Sequence, residues 1–188
     1  MQRLFLSMTD PEELTNSCYA SEYGREICSD AEFWEEKFRR EGLLLLEEGS
    51  DIDSWLEIYR KSQDVARKTN KKMDRSRVSI GLAEVEDPDV LSPLSKSAFL
   101  VPFWKNRNKH RYRLDFTPSY TNGLHSYTLV ELTQKIETFM GRTVARTNHL
   151  EPILKGTVKT KDLWVIVYQN IYTRKPFIEV DGYIFPLP

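Results

Sequence analysis

The residues best placed to do chemistry in this chain are cations. In WKNRNKHRYRLDF, basic side chains occupy every second position: Lys105, Arg107, Lys109, Arg111 and Arg113. On a strand, all five project from one face at a repeat of about 6.6–6.8 Å, close to the spacing of successive phosphates along a nucleic-acid strand. Trp104, His110, Tyr112 and Leu114 then take the opposite face. Two other readings stand beside the phosphate one. The row can protect an edge strand by like-charge repulsion, or it can pair with an acidic part of the same chain.

Other chemistries lack their residues. His110, His125 and His149 are far apart and none has a metal-ligand spacing with a second His, Cys or carboxylate. No glycine-rich phosphate cradle follows a strand, and no serine sits in a strained elbow. His125-Ser126 beside a turn reads as surface loop, and Glu35-Glu36 and Glu47-Glu48 read as solvated faces. The pattern points to a chain that is not an enzyme and takes no metal and no cofactor. Cys18 and Cys28, the only cysteines, read as buried, inert thiols in a reducing, intracellular setting. The longest apolar run, Leu43–Leu46, is far short of a membrane span, and the first residues lack a secretory pattern.

The net charge of -1 conceals segregation. Residues 1–57 carry 5 Lys/Arg against 15 Asp/Glu, residues 58–113 carry 14 against 6, and residues 114–188 carry 8 against 7. An acidic head, a basic middle and a near-neutral remainder follow, and such a middle suits an anionic partner or the head itself.

The elements that must position these residues fall into two groups. Arg3–Met8 reads as a helical turn, and Thr9 or Asp10 caps a helix with Pro11 at its first position and Leu14, Cys18 and Tyr19 on its buried face. Glu22–Cys28 reads as a further short helix. In SDAEFWEEKFRRE, Ser29 and Glu32 have capping-box spacing; Phe33, Trp34 and Phe38 share an apolar face, and Gly42 stops the helix. Asp51 or Ser50 opens the longest helix, from Ile52 to about Asn70, whose apolar period fades past Val65 into basic residues. The predicted domains are therefore 1–72 and 78–188.

In the second domain, Val78–Val85, Ser97–Phe103, Trp104–Phe116 and Arg142–Arg146 read as strands. Thr128 and Glu131 suggest a capped helix with Leu129, Leu132, Ile136, Phe139 and Met140 as its stripe. Leu163–Tyr168, LWVIVY, reads as a central strand, and Phe177–Val180 with Tyr183–Phe185 reads as a hairpin about Asp181-Gly182. The fold class expected is α+β: a small all-α head, then a domain with a mainly antiparallel sheet and one packed helix.

Residues 4–41 carry a resemblance. The order DPEELTNSCYASEYGREICSDAEFW, through Leu14, Cys18, Ile27, Cys28, Asp30, Phe33 and Trp34, resembles F-box-like proteins of large cytoplasmic DNA viruses such as marseilleviruses. It covers about 40 of the 188 residues and departs from the family at its start, where RLFLSM replaces the usual Leu-Pro opening. The resemblance implies an adaptor or host-interaction protein that binds a host or viral partner, such as a ubiquitin-ligase linker protein. In that role Leu4, Phe5 and Leu14 form an exposed apolar patch while Trp34 is structural. The alternative expectation is sequence-nonspecific nucleic-acid binding, or virion association, through the basic row.

Overall fold

A computed structural model describes Leu6 and residues 11–118, 123–139, 142–174, 177–180 and 183–186. The fold is α+β, and the chain divides into two compact units, Met1–Lys68 and Thr69–Pro188. The division falls inside one continuous helix.

The first unit is helical. Helix α1 is Pro11–Tyr19, α2 is Glu22–Ser29, α3 is Ala31–Glu41, and α4, Ile52–Met73, runs across the division. Ser21 caps α2 by accepting from the Gly24 N–H at 2.9 Å. Asp30 caps α3 by accepting from the Glu32 N–H at 3.0 Å. The expected cap, Ser29, is instead the last residue of α2, and its hydroxyl donates back to the Arg25 carbonyl. Asp51 caps α4 by accepting from the Ser54 N–H, while Ser54 Oγ accepts from the Asp51 N–H.

These helices converge on aromatic residues. Trp34 is buried, stacks on Trp55 with centroids 5.8 Å apart, and donates its indole N–H to the Cys28 carbonyl at 2.8 Å. Phe33, Phe38 and Tyr59 complete the packing around it, with Leu14 and Ile27. Lys37 is also fully buried; its ammonium pairs with Glu41 at 2.9 Å and lies 4.9 Å over the Tyr59 ring. Tyr19, expected inside, is exposed, and its hydroxyl donates to Asp53.

Cys18 and Cys28 form a disulfide, which corrects the expectation of two inert thiols and removes the ground on which a reducing setting was expected. Gly24 supplies the reason. A Cβ there would lie 2.6 Å from the Ser17 carbonyl, so only glycine lets α2 approach α1 this closely. That approach sets the two cysteine Cα atoms 5.7 Å apart, within bonding range.

The second unit is built on an antiparallel sheet in the order β1-β2-β3-β4. Its strands are β1 Val78–Gly81, β2 Tyr112–Pro118, β3 Leu124–Phe139 and β4 Arg142–Lys159. Between β1 and β2 the chain makes single helical turns, among them α5, Val101–Trp104. Helix α6, Thr160–Thr173, covers one sheet face: Leu163, Ile166 and Val167 pack with Ile80, Leu114, Phe116, Tyr127 and Leu129. On its other side Trp164, Tyr168 and Tyr172 stack at four-residue intervals. Strands β5, Phe177–Val180, and β6, Tyr183–Pro186, pair in the register expected of the hairpin, Val180 opposite Tyr183. Their Asp181-Gly182 turn lies outside the described residues, as does nearly all of Arg3–Met8.

Several expected elements are exchanged. Residues 128–139 are strand rather than helix, and Leu163–Tyr168 is helix rather than strand. Ser97–Phe103 forms helical turns, Val78–Val85 is strand only to Gly81, and Arg142–Arg146 is the start of the long β4.

Candidate functional site

The basic row does not lie on one strand. Asn106 Oδ1 accepts from the Asn108 N–H at 2.9 Å, and the Lys109 N–H reaches the Asn106 carbonyl at 3.0 Å, so two asparagines turn the chain through the row. β2 begins only at Tyr112. Lys105 and Arg107 are exposed on the turn, and Lys109 lies over the Trp104 ring. Arg111 pairs with Glu131 at 3.1 Å, and Arg113 pairs with Asp115 at 2.8 Å. The five cations therefore have separate surroundings and present no common face.

The apolar patch fares differently. Leu14 is 0% exposed in the core of the helical unit, which corrects its placement at a surface. Leu4 and Phe5 lie outside the described residues.

Strands β3 and β4 run on past the end of β2. β2 pairs with β3 only from Pro118 opposite His125 to Tyr112 opposite Glu131, whereas β3 and β4 stay paired out to Phe139 opposite Arg142. Beyond Glu131 the hairpin is a two-stranded ribbon with no third strand paired to it among the described residues; the Leu132 carbonyl at its start accepts from Arg111 Nε at 3.5 Å. The outer edge of β4 is occupied at one end: the Ser95 N–H donates to the Thr157 carbonyl, and the Thr157 N–H donates to Ser95 Oγ. Thr157 therefore directs its backbone groups away from β3. Counting by twos and allowing for the irregularity opposite Leu129/Val130, Pro152, Leu150 and Asn148 do the same. Pro152 thus costs the β3–β4 ladder no bond. Leu150 and Ile153 are 44% and 40% exposed on this stretch.

The sheet face opposite α6 is mostly polar, with Val130 buried and Leu124 exposed among its polar side chains. Asp115, nearly buried at its centre, is held by Arg77, by Ser79 at 2.6 Å, and by one terminal amine of Arg113 at 3.0 Å, with Arg113 Nε 2.8 Å from the other carboxylate oxygen. Burial opposes ionisation of this carboxyl, but the hydrogen bonds from Arg113, Ser79 and Arg77 outweigh it and hold the group below its usual range. Register places Thr117, Ser126, Thr128, Lys155, Thr157 and Lys159 on the same face. Lys96 joins it at the edge, its ammonium donating to the Lys155 carbonyl at 3.1 Å. The alternation of Arg113, Asp115 and Thr117 signals this face in the sequence, but only once β2 is known to start at Tyr112.

His125, on β3, lies with Nε2 3.0 Å from the Thr160 hydroxyl, which donates to the Gly123 carbonyl. Burial lowers the His125 pKa, so the ring is neutral at neutral pH. This pair joins β3 to the start of α6. Among the described residues, no group of three or more His, Cys, Asp or Glu side chains is placed to hold a metal ion, and no helix is long and apolar enough to cross a membrane.

No family model, curated protein or solved structure matches this chain.

Proposed function

We propose that this chain is a non-enzymatic viral adaptor that acts inside the host cell, with the helical unit as its scaffold and the β3–β4 ribbon as the arm that engages another protein. The observation that carries this reading is the ribbon itself. It extends beyond the last β2 pair, Tyr112 with Glu131, where β3 has no further strand partner on that side, and it displays Leu150 to solvent, with Ile153 exposed at the irregularity just before the ribbon begins. Exposed apolar side chains beside an open strand edge are the features that strand-adding partners use. The resemblance of residues 4–41 to F-box-like proteins supports an adaptor role for the helical unit. A linker protein bound there would engage surface other than Leu14.

The test compares the full chain with a Leu150→Asp/Ile153→Asp variant in cross-linking capture from host-cell extract. Both sites are exposed, so the melting temperature is expected to stay within the shift of an ordinary surface change, about 0.5 kcal/mol per site. Partners cross-linked within residues 124–159 of the parent should be missing from the variant. Recovery of the same partners with both proteins refutes the ribbon as the arm.

A further inference from the structure

We propose that the sheet face turned away from α6 binds the phosphate backbone of duplex nucleic acid, a function separate from the ribbon's. The face carries cations along both sides. Arg77 and Arg113 stand on the β1–β2 side and share one carboxylate, Asp115, so that side keeps a net positive charge. Lys155, Lys159 and Lys96 stand on the β4 side, and among the described residues none of the three is ion-paired with a carboxylate. Between them lie the hydroxyls of Thr117, Ser126, Thr128 and Thr157, with Thr117 Oγ1 2.7 Å from Ser126 Oγ. Guanidinium, ammonium and hydroxyl donors are the groups that hold phosphate oxygens.

Two further points select the occupant. The unit Thr69–Pro188 contains 18 Lys/Arg against 12 Asp/Glu, so the surrounding field also favours an anion. None of the back-face residues that register places between Ser79 and Lys159 is aromatic, so the face offers nothing on which an unpaired base could stack. Duplex phosphates suit such a surface; unstacked single strands do not. Asp115 orders the arrangement, because its contacts to Arg77 and Arg113 fix both guanidinium groups against the sheet while leaving part of each fork free.

The experiment titrates the full chain into a labelled mixed-sequence duplex of about 20 base pairs, at salt concentrations from about 50 to 200 mM, and reads anisotropy. Four uncompensated cations imply a log–log slope of about -3.6, a loss of roughly 150-fold across that range. Lys155→Ser/Lys159→Ser should make the slope shallower by about 1.8. Lys105→Ser/Arg107→Ser removes two exposed cations from a different surface and should leave the slope as in the parent. Permuting the duplex sequence should change affinity less than about twofold, because phosphate contacts carry no sequence information. The inference is overturned by absence of duplex binding at about 50 mM salt, or by equal flattening in both double variants. It is overturned equally if polyglutamate displaces the duplex at matched charge concentration, which would assign the face to an acidic protein.

Discussion

Reduction of the Cys18–Cys28 bond is the most direct perturbation of the helical unit. The bond closes a loop with a sequence separation of 10. Cross-linking a loop of that length removes about 9 cal/mol/K from the unfolded chain, or about 2.7 kcal/mol at 25 °C. A unit of this size, Met1–Lys68, has a total stability of about 3–10 kcal/mol, so reduction removes a large part of it. With an unfolding entropy of about 2.1 cal/mol/K per residue, the same loss lowers the midpoint by about 15–20 °C. The assay is thermal unfolding of the full chain with and without a phosphine reductant, with amide exchange in α3 as the readout specific to this unit. Cys18→Ala/Cys28→Ala should reproduce the reduced behaviour. Complete titration of two thiols with a midpoint moved by less than about 3 °C, and unchanged exchange in α3, would refute the reasoning.

Trp34→Ala should cost about 3–5 kcal/mol, because the indole is buried between Phe33, Trp55 and Tyr59; a melting curve like the parent's would show that the core is held elsewhere. Gly156→Ala should destabilise the second unit by about 1–3 kcal/mol. Its Cβ would fall 2.6 Å from the Tyr127 ring, which the Ser95 carbonyl holds in place, and chemical denaturation measures the loss. Asp115 contributes stability that is complete above the unfolded carboxyl pKa, about 3.9, and is lost as pH falls through the lower folded value. Asp115→Asn should therefore weaken the unit at neutral pH and flatten the acid limb of its stability profile; an acid limb identical to the parent's would count against the network.

Legibility in the sequence followed the number of independent signals each segment carried. α4 was readable because Ile52, Trp55, Leu56 and Tyr59 keep the helical period behind an Asp51 cap, and the last hairpin because Asp181-Gly182 separates two short apolar runs. Residues 128–139 contain both a capping-box spacing and apolar residues at helical intervals. The opposing signal is their β-branched content: Thr128, Val130, Thr133, Ile136 and Thr138. Pairing with β2 and β4 then decides in favour of strand.

LWVIVY fails in the opposite direction, since its six residues are apolar all round. Over the longer window Leu163, Ile166, Val167 and Asn170 recur at helical spacing, and that face is the one the sheet buries. The basic row was misread because alternation of charge outweighed Asn106 and Asn108, whose side chains favour a turn. The disulfide was hidden because ten intervening residues say nothing of a close helix approach until Gly24 is seen against the Ser17 carbonyl.

The early end of β2 also frees the ribbon to vary in reach. Above the pairing of Tyr112 with Glu131, the β3–β4 ladder no longer shares a strand with the rest of the sheet. Two residues added to each strand would carry the tip about 6.7 Å outward and keep every side chain on its own face; one residue added to each would turn them all over. The sheet below, with its buried tyrosine and leucine rungs, would not register either change. Reach in this chain is therefore open to variation in paired steps without any repacking of the core, so the ribbon can be lengthened at no cost to the fold that carries it.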